Sequence, residues 1–296
     1  MSVLESKLSS SEVQPQSRQV PLPSEPLVVI QQSKPWVPVN LRDLWTYREL
    51  LYFLAWRDVK VRYKHTAFGI LWVVMQPALT AIIFTVFFGL IARVPSMGQV
   101  PYVLFAYSGL VIWTFFSGAV TAGGQCLLAN AHLITKIYFP RLLIPSAVVG
   151  GRLIDLLISL VLLAILMLRY RIAVTWSMLY MPLEIVLVVL LALGVSMLTS
   201  ALIVRYRDLG VALPVLIQLF MFISPIVYPV GLVPPAWQRI YALNPLVGII
   251  EGFRSALFNR PINRWALAVS SAVTTILFVV AVYFFRRVEK GLADIV

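Results

Sequence analysis

The sequence predicts an all-α integral membrane protein with six transmembrane helices, an N-terminal amphipathic interfacial helix and re-entrant helices before the last span. Of its 296 residues, 60% are hydrophobic and 12% are charged, and the mean hydropathy is +0.89. Soluble domains carry about 25% charged residues. Long uncharged stretches recur along the chain, and a helix needs about 20 apolar residues to cross a hydrocarbon core about 30 Å thick.

The charge balance and the cysteine count narrow the possible partners. The net charge of +12 would suggest nucleic acid in a soluble protein. Here membrane-flanking Lys and Arg explain it better, so no nucleic-acid partner is expected. The single cysteine, Cys126, excludes an intrachain disulfide and a Cys-based zinc site. It is predicted to be a structural residue within a helix.

The N-terminal region divides into a tail and an interfacial helix. Residues 1–39 are polar and contain prolines, and they lack the apolar core of a signal peptide, so they are predicted to be a disordered cytoplasmic tail. Residues 40–64 repeat apolar side chains at helical spacing, which predicts an amphipathic helix lying in the membrane interface. That helix ends in a basic cluster that would face anionic headgroups. The cluster comprises Arg57, Lys60, Arg62 and Lys64.

Residues 65–296 are predicted to form a six-span transmembrane domain. The predicted spans are 65–92, 102–127, 142–168, 178–204, 209–228 and 265–285. Residues 229–264 are too interrupted by prolines for a straight span and too apolar for a free loop. Because irregular backbone at membrane depth must be buried in protein or face a cavity, this stretch is predicted to form one or two re-entrant helices.

The distribution of basic residues predicts the orientation. With the N-terminus inside, most of the 24 Lys and Arg residues fall on the inner side. This imbalance predicts that both termini are cytoplasmic.

Catalytic and nucleotide-binding motifs are not found in the sequence. The dipeptide Gly-Lys does not occur, which excludes a Gly-x-x-x-x-Gly-Lys phosphate loop. No cluster offers paired carboxylates or metal ligands. The chain is therefore predicted to be no enzyme and to hold no metal or other cofactor.

Two pairs of opposite charge have i, i+3 spacing. Arg152 and Asp155 fall in the third predicted span, where pairing would lower the cost of burying both. They form either a structural ion pair or part of a transport path. Glu251 and Arg254 repeat the spacing in the re-entrant region, as either an external gate or a structural pair.

Aromatic side chains gather near the predicted outer side. Packing and the interfacial aromatic belt are one explanation. A channel whose ring faces support the apolar faces of sugars is the other. The candidates for channel lining are Phe84, Phe88, Trp113 and Phe220.

The inner loop at residues 128–141 predicts a short helix. Ala129, His132, Leu133 and Lys136 have helical spacing, and Pro140 closes the segment. A short helix at the cytoplasmic face suits docking of a partner, and a plain connecting turn is the alternative.

Five segments, in order, resemble the permease subunits of bacterial ABC exporters of cell-surface polysaccharides such as O-antigen, capsule and teichoic acid. The similarity runs from about residue 40 to the C-terminus. The segments are RDVKVRYKHTAFGILWVVMQP (57–77), ANAHLITKIYFPRLLIP (129–145), RYRDLG (205–210), SPIVYP (224–229) and NPLVGIIEGFRSALF (244–258).

The resemblance implies a permease homodimer in the bacterial inner membrane, with two ABC ATPase subunits that hold ATP and Mg²⁺. Its expected substrate is a polyprenyl-pyrophosphate-linked glycan. Arg57, Lys60, Arg62 and Lys64 would lie where the substrate enters, and we hypothesise that they attract the pyrophosphate. The residues expected to couple to the ATPase are Asn130, His132, Lys136, Phe139, Pro140, Arg141, Arg205 and Asp208. The outer gate would comprise Pro225, Tyr228, Pro229, Glu251 and Arg254.

Three other functions stay open at this point. An exporter of drugs or other lipids would share the family. A membrane-bound enzyme that modifies lipids or glycans would need acidic or His clusters at a membrane face. A passive channel would work without an ATPase.

Overall fold

A computed structural model describes residues 45–64, 71–96, 98, 100–136 and 139–289. The predicted tail at residues 1–39 and the first residues of the predicted interfacial helix, 40–44, lie outside these ranges. Within them all regular structure is helical, as predicted. The α-helices are α1 (Arg48–Lys64), α2 (Leu71–Phe84), α3 (Tyr102–Ala129), α4 (Ala131–Lys136), α5 (Leu143–Arg169), α6 (Met181–Arg205), α7 (Leu209–Ile223), α8 (Pro235–Tyr241), α9 (Pro245–Leu257) and α10 (Arg264–Glu289).

Five helical segments in the described ranges are long and apolar enough to cross a membrane. A π-helical stretch, Thr85–Ile91, extends α2, and a 3-10 turn, Trp176–Tyr180, extends α6. The five segments are Leu71–Ile91, Tyr102–Ala129, Leu143–Arg169, Trp176–Arg205 and Arg264–Glu289. They fall where five of the six spans are predicted.

The remaining predicted span, 209–228, contains a shorter helix. Helix α7 has 15 residues, which at the helical rise gives about 22 Å of length. This is less than the hydrocarbon core of about 30 Å. The chain turns at Ser224, so the last residues of the predicted span are not helical.

Prolines begin the short helices between α7 and α10. Pro235 opens α8 and Pro245 opens α9, at the position where a missing N–H costs nothing. The side chain of Asn244 caps α9 by accepting a hydrogen bond of 3.0 Å from the backbone N–H of Leu246. The prolines that interrupt the apolar stretch therefore divide it into two short helices rather than leaving a loop.

Helix α3 is the centre of the bundle. It is the most buried of the five segments, with 78% of its apolar stretch buried. It packs against α5 and α6, and Gly123 lies where α3 and α6 approach each other closely. A Cβ atom on Gly123 would lie 2.5 Å from Ser196 Oγ of α6. A larger residue there would separate the two helices.

Helix α1 lies against α5 and buries Leu54 and Val59. Its opposite face exposes aromatic side chains, with Tyr52 stacked on Trp56 at 6.4 Å between ring centroids. The helix continues without a break through the basic cluster to Lys64.

Contacts between distant segments define the two ends of the bundle. At one end, Arg57 bonds Asn130, Gln125 bonds Gly210, and the segment after α4 bonds the end of α10. We call this the inner end, after the predicted orientation. At the other end, the outer end, Tyr102 donates a hydrogen bond of 2.5 Å to the carbonyl of Val227.

Candidate functional site

The short helix α4 forms an exposed feature of the inner end. His132 and Lys136 are exposed, while Ile134 is buried in an apolar cluster. The sequence predicts this short helix, and the structure contains it as Ala131–Lys136. One face of α4 is thus held by packing, and the other is available to a partner.

Other predicted coupling residues in this loop make contacts inside the chain. Phe139 is buried in the same cluster as Ile134 and Phe285. The backbone N–H of Arg141 donates to Glu289 Oε1 at 2.9 Å, and its guanidinium donates to the Glu289 carbonyl. These contacts fix the loop to the end of α10. They position the exposed face of α4 rather than contribute to it.

Asn130 and Pro140 also shape the loop. Asn130 is buried, and its side chain accepts a 2.8 Å hydrogen bond from Arg57 and donates one of 2.8 Å to the Cys126 carbonyl. Pro140 is half-buried at the turn into α5.

The turn between α6 and α7 provides a second exposed feature. Arg205 and Asp208 are both exposed, and the Arg205 guanidinium lies 5.6 Å from the centre of the Tyr206 ring. Gln125 ties this turn to α3 by donating to the Gly210 carbonyl at 3.3 Å. The inner end therefore presents two exposed features joined through α3.

The predicted basic cluster divides between two faces of α1. Arg57 bonds Asp58 at 2.9 Å and Asn130 at 2.8 Å, and Arg62 bonds Asp155 at 2.7 Å. Lys60 and Lys64 lie on the exposed face, with Lys60 5.7 Å from the centre of the Trp56 ring. The two arginines thus attach α1 to the bundle, and the two lysines face outward.

Asp155 is the centre of an ionic network between α1 and α5. It accepts from Arg62 at 2.7 Å, from Arg152 at 3.3 Å and from the hydroxyl of Tyr63. Burial and the hydrogen bond with Asp155 raise the pKa of Tyr63 to about 12, so its hydroxyl remains a donor. The predicted i, i+3 ion pair between Arg152 and Asp155 is present, and Arg62 of α1 is a second cation on the same carboxylate.

A groove of about 430 Å³ lies beside this network along one face of α3. Small and polar side chains spaced three and four residues apart line it, together with Arg152 of α5. The α3 residues are Ser117, Gly118, Thr121, Ala122 and Gln125. They are half-buried or exposed on a helix that is otherwise mostly buried.

The predicted channel aromatics pack against the core. Trp113 is 6% exposed and forms a three-ring cluster with Phe116 and Phe220, at centroid distances of 6.0 to 6.4 Å. Phe84 and Phe88 meet edge to face at 5.7 Å and are half-buried. In the single chain these contacts are packing, and their role in a channel stays a prediction.

Arg254 secures the outer end. It is 1% exposed and donates to the carbonyls of Pro225 at 2.6 Å, Ile226 at 2.6 Å and Phe105 at 2.9 Å. It also donates to Ser108 Oγ at 3.2 Å and lies 3.7 Å from the centre of the Phe105 ring. One side chain of α9 thereby ties the turn after α7 to α3.

The two roles predicted for Glu251 and Arg254, an external gate or a structural pair, stay predictions. No salt bridge joins them in the described ranges, and Glu251 Oε2 is buried without a hydrogen-bond partner. Backbone carbonyls satisfy the guanidinium instead. Of the other predicted gate residues, Pro229 is half-buried. The Tyr228 hydroxyl lies 3.0 Å from the Tyr241 hydroxyl.

Several residues to which the sequence assigns no role are prominent in the structure. Glu184 is fully buried and lies against Gly252, and its two carboxyl oxygens have no hydrogen-bond partner in the described part of the chain. Glu289 holds Arg141, and Thr121 and Gln125 line the groove. The spacing of Ser117, Thr121 and Gln125 within a span is the signal that could have found the groove.

Within the described residues, no group of three His, Cys, Asp or Glu side chains could hold a metal ion. That this chain holds no cofactor stays a prediction.

A bundle of apolar helices with a polar groove and an exposed inner end has the features of a multi-pass membrane permease. The chain belongs to the ABC-2 type transporter family, whose sequence model matches residues 49–258. The resemblance inferred from the five segments is therefore confirmed, and the chain is a permease subunit of an ABC-2 type transporter.

Individual relatives are similar over most of the chain. An O-antigen export system permease protein RfbA of Klebsiella pneumoniae is 30% identical over 249 residues, covering 83% of this chain and 95% of the relative. The protein of the same name from Myxococcus xanthus is 27% identical over 257 residues, covering 86% and 98%. The polysialic acid transport protein KpsM of Escherichia coli is 24% identical over 205 residues, covering 68% and 78%.

Proposed function

We propose that this chain is the membrane subunit of an ATP-driven exporter that moves a polyprenyl-pyrophosphate-linked polysaccharide across the inner membrane. The observation that carries the proposal is the exposed inner end, where α4 and residues 205–208 offer a docking surface for a separate ATPase. Similarity to O-antigen export permeases over 83% to 86% of the chain supports a glycan as cargo.

The proposed assembly is a homodimer of this chain with two ABC ATPase subunits, which would hold ATP and Mg²⁺. The chain itself is a transport subunit and performs no catalysis. Both termini are cytoplasmic, α7 completes a sixth crossing together with the turn after it, and α8 and α9 re-enter from the outer side. A helix shorter than the bilayer can be accommodated by local thinning or by the protein around it.

Two groups of residues have distinct roles in this proposal. We assign direct contact with the ATPase to the four exposed coupling residues, which are His132, Lys136, Arg205 and Asp208. Asn130, Phe139, Pro140 and Arg141 hold the contact surface in shape. Pro225, Tyr228 and Pro229 form the outer gate, and Arg254 fixes its base.

The experiment is export in cells that lack the gene and any redundant exporter. The deletion is complemented with the wild-type chain, with the double variant His132→Ala/Lys136→Glu, or with Arg264→Ala, which removes an exposed cation at the outer end. Surface glycan and the lipid-linked intermediate in the inner membrane are both assayed. The proposal expects rescue by the wild type and by Arg264→Ala, and internal accumulation with the double variant.

Normal surface glycan in the deletion strain would contradict the proposed cargo. An exporter of a drug or another lipid would then be the better account, and loss of drug resistance or of a surface lipid would identify it. Rescue by the double variant would instead contradict the placement of the ATPase contact on α4.

A further inference from the structure

The ionic network around Asp155 contains more positive charge than it needs. Arg62 is the closer partner of the carboxylate, at 2.7 Å, and the Tyr63 hydroxyl donates to its other oxygen. Arg152 is a second cation on that single carboxylate, at the longer distance of 3.3 Å. Its Nε is buried and has no hydrogen-bond partner among the residues that the structure describes. Two guanidiniums and one carboxylate leave a net positive charge.

The Arg152 side chain lines the groove along α3. The Arg152 side chain is 27% exposed and lies against Gly118, where a Cβ atom would be 3.3 Å from its Nη1. Ser117, Thr121 and Gln125 line the same groove. Hydroxyl and amide groups beside a guanidinium can together satisfy the oxygens of a phosphate.

A structural ion pair does not explain the presence of Arg152. It lies nine residues beyond Leu143, in a helix that is long and apolar enough to cross a membrane. Ionisable side chains in such helices are rare and usually mark a path for substrate or ions. Arg62 is the closer partner of Asp155, so the carboxylate is neutralised without Arg152.

We propose that Arg152 and the groove on α3 form a binding site for a phosphate group carried by a lipid. The guanidinium holds the phosphate, and Ser117, Thr121 and Gln125 bond the polar group next to it. The ligand is a polyprenyl pyrophosphate, an assignment that rests on the proposed function. The site differs from the predicted basic cluster on α1 because its cation belongs to α5 and lines the groove on α3.

The test uses the full-length chain in nanodiscs of phosphatidylcholine, with lipid binding measured by native mass spectrometry. Two probes are titrated separately: undecaprenyl pyrophosphate and phosphatidylglycerol. The variants are Arg152→Gln, Arg152→Lys and Gly118→Leu, which fills the groove while leaving the cation. Arg264→Gln is the matched control because it removes an exposed cation at the outer end.

We expect the wild type to bind undecaprenyl pyrophosphate more tightly than phosphatidylglycerol. Arg152→Gln and Gly118→Leu should weaken pyrophosphate binding by about tenfold or more, since a charge-assisted hydrogen bond is lost or blocked. Arg152→Lys should retain part of the affinity, and Arg264→Gln all of it. Because Arg62 still pairs with Asp155, melting temperatures should show that Arg152→Gln remains folded.

Equal affinity of Arg152→Gln and the wild type would overturn this inference and leave the proposed export function standing. If the wild type bound neither probe, the inference would also be overturned. Binding of phosphatidylglycerol alone, with the same dependence on Arg152, would retain the phosphate site and contradict a pyrophosphate-linked substrate. Loss of the dimer rather than of lipid binding in Gly118→Leu would overturn the inference, because the groove would then be a contact between two copies of the chain.

Discussion

At the scale of single residues, charged side chains inside the bundle bond to partners that are distant in sequence. Arg254 bonds carbonyls of Pro225, Ile226 and Phe105, and none of these partners can be inferred from i, i+3 spacing. The sequence could predict that Arg152 meets Asp155, because both are on one helix. It could not predict that Arg62 of α1 is the closer partner.

Arg254→Ala tests the role of Arg254 at the outer end. The substitution leaves several buried carbonyls without a donor, and each unsatisfied group costs about 1–3 kcal/mol. We expect a loss of at least about 3 kcal/mol in the free energy of unfolding. The measurement is thermal unfolding of the purified protein in detergent. The exposed Arg264→Ala serves as control, and equal melting of Arg254→Ala and the control would contradict the assignment.

Glu184→Gln tests the buried carboxyl on α6. Glu184 is fully buried with no hydrogen-bond partner among the described residues. Burying a charge without a partner is costly, so glutamine, which has a similar shape and no charge, should maintain or raise the melting temperature. Glu49→Gln, at an exposed position of α1, is the control. A clear fall in melting temperature for Glu184→Gln alone would show that the carboxylate has an essential partner.

At the scale of elements, hydropathy located the long helices and proline positions located the short ones. Hydropathy did not predict where α7 ends. The chain turns at Ser224, whose hydroxyl accepts from Asn244, and Arg254 donates to the next two carbonyls. The loop at 128–141 was predicted as a short helix, and α4 agrees. The division of its residues into exposed and internal sets required tertiary contacts, since Phe139 is buried by α10 and Arg141 is bonded to Glu289.

Lys136→Glu and Phe139→Ala should therefore fail in different ways. Lys136 is exposed, so reversing its charge should abolish co-purification of the ATPase subunit without changing the melting temperature. Phe139 is buried, so its truncation should cost about 3–5 kcal/mol of stability. Co-purification and thermal unfolding are measured on both variants, with Thr80→Ala, a half-exposed site away from α4, as the control. An unstable Lys136→Glu protein, or a stable Phe139→Ala protein, would contradict the division.

At the scale of the whole molecule, the two ends of the bundle differ in chemistry. The inner end gathers α4, residues 205–208 and the end of α10, and it holds the exposed basic groups of α1. The outer end gathers the proline-started helices α8 and α9 and the turn fixed by Arg254. The count of Lys and Arg predicts that the inner end is cytoplasmic.

Cysteine labelling tests the orientation and the sixth crossing together. Cys126 is buried, and its replacement by Ala gives a background for single cysteines at exposed positions. Thr135→Cys and Arg207→Cys should react with an impermeant maleimide only after cell lysis, and Gly231→Cys should react in intact cells. Labelling of Arg207→Cys and Gly231→Cys from the same side would contradict a crossing by α7.

We propose above that this permease moves a lipid-linked glycan when its partner hydrolyses ATP. The most direct test is transport into inverted inner-membrane vesicles that contain the chain with its ATPase subunit and carry the polyprenyl-pyrophosphate-linked glycan on their outer surface. The account predicts that ATP makes the glycan resistant to an added glycan-cleaving enzyme, and that vesicles with Lys136→Glu show no such protection. Glycan that stays fully cleavable in wild-type vesicles supplied with ATP would contradict it.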